Sequence, residues 1–182
     1  MKNFLYVTLL VIPVLAFGAV GTSPQSEPAD FEFILPSIVA VLLSDASITW
    51  DFNSIDVNLN NPAFPPAAFP AYYEPSSPNV RPYQTVDYLV LFIGGATNWQ
   101  LTIEGDGDPA PACGITLDEI EYAANPPGAW TPLAVAPAVV ASGSGTTSGW
   151  QSLDHNYRVE IDGDETVTAS STCTITYTIQ TL

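Results

Sequence analysis

Alternation with a period of two runs through most of this chain. In Thr172–Thr181, Cys173, Ile175, Tyr177 and Ile179 alternate with Thr172, Thr174, Thr176, Thr178 and Gln180. That is the pattern of a half-buried strand with one apolar face and one threonine face. Tyr157–Ile161 repeats it and stops at Asp162-Gly163-Asp164. Trp99, Leu101 and Ile103 alternate with Gln100, Thr102 and Glu104, while Ile48, Trp50 and Phe52 alternate with Thr49 and Asp51. Tyr83–Ile93 differs, because Val86, Tyr88, Val90 and Phe92 fall on one face and Leu89, Leu91 and Ile93 on the other. A strand apolar on both sides is either central to a layered sheet or covered by a neighbouring molecule.

Gly94-Gly95 predicts a hairpin from this strand into Thr97–Glu104. Further strands are expected at Ile115–Tyr122, Trp130–Val140 and Glu165–Ser170, and Leu117–Ala124 also fits a helical turn. Together these elements predict an all-β fold, an immunoglobulin-like antiparallel β-sandwich of about seven to nine strands. Pro62–Pro82 carries seven prolines in 21 residues and predicts a long Pro-rich loop, because proline removes ladder donors. Ser142–Gly149 is expected to be a flexible loop from its Ser, Gly and Thr content.

The start of the chain reads as an address. Lys2 precedes an apolar run over Phe4–Leu15, and Ala16-Phe17-Gly18 places small residues where a signal peptidase cuts. The run is shorter than a bilayer-spanning helix needs. The expected organisation is therefore a signal peptide over 1–18, a flexible arm over 19–30 and a single sandwich domain over 31–182, secreted or at the cell surface. After such a cut Arg81 and Arg158 face 19 acids, a formal charge of −17.

Charge narrows the function further. The chain is 47% hydrophobic but only 12% charged, with a mean hydropathy of +0.21. So few cations argue against nucleic acid, whose phosphates require clustered Lys and Arg. Two cysteines in an exported chain point to a Cys113–Cys173 disulfide rather than a zinc site. Closing that loop would stabilise the fold by about 4 kcal/mol in the chain-entropy model.

The sequence offers four kinds of candidate site. Glu104, Asp106 and Asp108 end one strand, and Asp162, Asp164 and Glu165 end another. Gly-spaced acidic loops of this kind are calcium candidates, although Asp-Gly is equally a turn signal. Calcium is thus the one candidate cofactor. The single histidine, His155, falls in a polar stretch before a strand and is expected in a loop or at the surface. Without a nucleophile elbow, and with Asp118, Glu119 and Glu121 close only in sequence, no catalytic residue is assigned and no enzyme is expected. Trp130, Trp150, Tyr72 and Tyr73 are candidate ligand aromatics for a glycan, while Trp50 and Trp99 read as core. Phe31, Phe33 and Leu35 form a candidate donor strand after the flexible arm, one that would add to the sheet of another copy, while Phe31–Leu43 reads equally as the first strand or strands of its own domain.

With its signal, apolar N-terminal segment, all-β body and terminal Thr/Tyr-rich strand, the chain resembles pilin-like and biofilm-matrix β-sandwich subunits of secreted microbial surface fibres. The resemblance rests on Phe31–Leu35 as donor and on Thr172–Thr181 as a strand bordering the acceptor groove. It implies an extracellular filament or surface matrix whose partners are copies of the chain itself, joined by N-terminal strand exchange. An adhesin or carbohydrate-binding module, calcium-dependent, is the alternative expectation. The Cys113–Cys173 spacing is wider than the early-strand disulfide of chaperone-assembled pilins, a departure from that assembly route.

Overall fold

Strands with one apolar face need a second layer to cover it, and this chain supplies that layer with two antiparallel sheets packed together. The computed structural model describes residues 36–45, 47–53, 61–75, 83–166 and 170–182, all within the unit Leu35–Leu182. The signal, the arm and the donor residues Phe31, Phe33 and Leu35 lie outside the described residues.

Nine strands follow in order: β1 Ile38–Leu43, β2 Ala71–Tyr73, β3 Tyr83–Leu91, β4 Asn98–Gly105, β5 Ile120–Ala124, β6 Thr131–Pro132, β7 Ala138–Ser144, β8 Gln151–Ile161 and β9 Ile175–Thr181. The large sheet runs β1-β3-β8-β5-β6, and β2 also pairs with β8. The small sheet runs β7-β4-β9. β8 is the spine of the large sheet. Its first half pairs with β3, its last three residues pair with β2, and β5 takes the opposite edge from His155 to Val159. Leu101 and Ile103 of β4 meet Val86, Tyr157 and Val159 of the large sheet in a sealed core. Among the described residues no helix is long and apolar enough to cross a membrane.

The sandwich agrees with the alternation, but its wiring corrects several expectations. β3 and β4 form no hairpin, because they belong to different sheets. Phe92 adopts a left-handed φ of 57° and Thr97 donates to Gly94 O at 2.8 Å, so the turn carries the chain from one layer to the other. A Gly-Gly turn signals a reversal, not which sheet receives the chain. Ile48–Phe52 is not a strand either. Its apolar side chains do pack against the core, yet Trp50 Nε1 donates to Tyr73 O and Asp51 accepts from Asn53 N, which turns the chain.

Other boundaries move. β8 begins six residues before the expected Tyr157. Trp130–Val140 splits into β6 and β7 around Pro137, which offers no donor. Ile115–Tyr122 becomes a 3-10 turn at Leu117–Glu119 followed by β5. That turn starts where the Asp108 and Glu119 carboxylates accept from Leu117 N and Thr116 N. Ser142–Ser144 belongs to β7, so the loop begins only at Gly145. The Pro-rich excursion contributes β2, and the described part of Glu165–Ser170 is not a strand.

Candidate functional site

β9 is held in place by a buried polar chain. Tyr177 on β9 points across the sandwich to β8, where its Oη lies 2.5 Å from His155 Nδ1 and 2.6 Å from Tyr157 Oη. The His155 ring stacks on Tyr177 and meets Tyr122 edge-on. His155 is 4% exposed, which corrects the expected loop or surface position. It occupies an inward slot of β8, level with Leu153 and Tyr157, and that period-two placement is the signal that could have found it. The neighbouring Asp154 and Asn156 disguise it because they belong to the outer face.

Burial pushes the His155 imidazole down to about 4, with nearby Asp154 pulling weakly the other way. Burial raises both Tyr157 and Tyr177. With Nδ1 unprotonated, Tyr177 donates to it and accepts from Tyr157, so one chain of hydrogen bonds ties the two sheets together. Two raised phenols and a neutral imidazole, sealed from water and bonded to one another, fasten β9 to β8.

Beside this lock the sandwich is open. Register places Val39 opposite Val90 and Leu43 opposite Val86. Residues directly opposite share a face, so Val39 and Leu43 point toward the interior with their partners. Val86 and Val90 are 0% exposed, yet Val39 is 40% and Leu43 is 41% exposed. The cause is unequal width: the small sheet has three strands, and β9, which packs against β1, is its last. The outer face of the same ribbon is aliphatic as well, with Ile38 opposite Leu91 and Ala40 opposite Leu89. β3, flanked by β1 and β8, is therefore apolar on both faces along this ribbon, and among the described residues no third sheet covers the outer one.

The acidic loops divide into two roles. Asp162, Asp164 and Glu165 bring carboxylate oxygens within 4.8 Å of one another. Repulsion from Asp162 raises Asp164, and Glu165 accepts from Asp162 N and Gly163 N. Those three carboxylates are where calcium would be held. Asp106 and Asp108 instead accept from the backbone N–H of Thr174 and Leu117, and Glu104 stands opposite Thr176 on β4. Hydrogen bonding from Thr174 accordingly holds Asp106 below the usual carboxylate range. Cys113 and Cys173 are free thiols here, on segments joined by a bridge between Ala110 and Thr172.

Of the four candidate ligand aromatics, two come together. The Arg158 guanidinium lies 3.9 Å from the Tyr72 ring centre and 4.5 Å from that of Trp130, and it pairs with Glu121, its direct cross-strand neighbour. These rings hold a side chain of their own protein, which fastens β2 and β6 to β8. Tyr73 is fully buried and donates to Ala63 O, so it offers no face to a ligand. Trp150 stands apart and exposed.

No family model, curated protein or solved structure matches this chain.

Proposed function

We propose that the chain is a secreted structural subunit of an extracellular filament, pilus-like fibre or surface matrix that grows by strand addition between copies. The observation that carries this reading is the inward-facing pair Val39 and Leu43, left exposed beside an edge of β9 that has no partner strand among the described residues. An extended segment added to β9 would supply ladder partners to that edge and apolar cover to β1. Phe31, Phe33 and Leu35 of another copy have the alternation for it. In this reading the sandwich is immunoglobulin-like and one edge strand short. In an oxidising compartment the reading has Cys113 and Cys173 close a disulfide, although in this structure they are free thiols that are not within disulfide distance.

Electron microscopy tests the reading. Protein beginning at Ala19 is expected to form filaments or large assemblies, whereas protein lacking 19–35, or carrying Val39→Asp with Leu43→Asp, forms neither. Unchanged monomers from every form would refute it.

A further inference from the structure

The small sheet carries an open groove of about 500 Å³, a size common among ligand clefts. Register builds it. Asn98 and Gln100 on β4 stand directly opposite Ser144 and Ser142 on β7. Residues directly opposite share a face, and Trp99 and Leu101, which alternate with Asn98 and Gln100, are buried in the interior. Four polar side chains therefore leave the outer face in two rows about 7 Å apart. Val139 and Leu182, both exposed, add apolar surface to the same groove. On the inner side the Trp99 indole lies so close to β7 that a Cβ on Gly143 would come within 2.7 Å of the ring. Glycine at that position lets strand and indole pack, which sets the backbone between Ser142 and Ser144.

These polar groups are uncommitted. Among the described residues, none of the side chains of Asn98, Gln100, Ser142 and Ser144 has a hydrogen-bond partner. Elsewhere in the sandwich the same chemistry is used internally: Asn156 donates to Asn125, and Thr102 donates to Thr178 O. An exposed polar side chain bonds water by default. Four of them converging on one concave surface make a site whose waters a ligand can replace.

We propose that this groove binds a neutral carbohydrate. Each amide offers a carbonyl acceptor and two N–H donors, and each hydroxyl both gives and takes a bond, which matches the adjacent hydroxyls of a sugar. Val139 and Leu182 match the C–H faces of its rings. Other ligand classes fit less well. An apolar ligand would strip water from four side chains and return no bond. An anion would approach a chain with 19 acids and three bases. Apart from the α-carboxylate of Leu182 no charged group lines the groove, so a cation is better held at Asp162, Asp164 and Glu165. A peptide strand would pair with the backbone edge of β7 rather than with side chains on its face. β7 and β9 lie on opposite sides of β4, so sugar binding does not depend on strand addition.

The experiment presents the full chain from Ala19, and the same chain with Val39→Asp and Leu43→Asp, to an array of neutral and acidic oligosaccharides. Titration calorimetry with the strongest neutral oligosaccharide follows. Both proteins should bind it with equal affinity per subunit. Gln100→Leu with Ser142→Ala should weaken binding at least tenfold while circular dichroism stays unchanged, and Asn98→Asp alone should act in the same direction. Trp150→Ala, at an exposed aromatic outside the groove, should leave the affinity as it is. An array with no neutral ligand, a preference for acidic oligosaccharides, or binding that survives the groove substitutions would overturn the proposal. So would binding abolished by Trp150→Ala, which would give the sugar to that ring. Failure of the chain to assemble while it still binds the sugar would count against strand addition alone.

Discussion

Leu101→Ala should lower the unfolding free energy by about 3 kcal/mol, a large share of the roughly 5–15 kcal/mol that holds a domain of this size. Leu101 sits fully buried in β4, the middle strand of the small sheet, with β7 on one side and β9 on the other. Its side chain packs into the core shared with the large sheet, so truncation leaves a cavity that neighbouring strands are ill placed to fill. The expected drop in melting temperature is roughly 6–12 °C. Leu182→Ala, at an exposed position, should change stability by no more than about 0.5 kcal/mol. Thermal and urea unfolding of the two variants checks the contrast. Equal effects would mean that the small sheet is not clamped by this core.

Acid should loosen the same interface. The folded His155 titrates near 4 and the unfolded imidazole near 6.5, so the unfolded chain binds the extra proton first as pH falls. The stability contributed by neutral His155 is present above pH 6.5 and is lost progressively down to about pH 4. The full loss is about 3 kcal/mol. Structure explains why protonation is disfavoured. A charged ring would be desolvated among Tyr122, Tyr157 and Tyr177, with Gln84 opposite on β3, and nearby Asp154 offsets only part of that cost. Nδ1 would also become a donor, which reverses the bond from Tyr177 and displaces that of Tyr157. Urea midpoints measured from pH 7 to pH 4.5 should fall in the parent protein and stay nearly level in His155→Phe. A parallel decline in both proteins would assign the effect to carboxylates instead.

How far the sequence revealed this molecule depends on which physical signal each element carries. β4, β9 and most of β3 are legible because each buries one face, and a half-buried strand writes its period directly into residue order. β8 is only partly legible. Its outer face carries Ser152, Asp154, Asn156 and Arg158, and its inner face includes His155, so a central strand reads as a polar loop. Partnership is not legible at all. Gly94-Gly95 announces a turn but not a change of sheet, since ladder partners are set by contacts between distant parts of the chain.

The open edge shows the same division. Apolar residues on both sides of β3 indicated that something must cover it. Only the register with β1 and the narrowness of the small sheet show where cover is lacking among the described residues. The two aromatics that meet Arg158 come from β2 and from the approach to β6, far apart in sequence, so their convergence left no local trace.

Hydrogen exchange along Ile175–Thr181 tests the central claim most directly, because the β9 amides that do not bond to β4 have no partner strand among the described residues. If copies complete the small sheet, those amides should exchange at least about tenfold more slowly in assembled protein than in unassembled Val39→Asp, Leu43→Asp protein. Equal exchange in both, or an isolated protomer whose own residues 31–35 already protect that edge, would contradict the account.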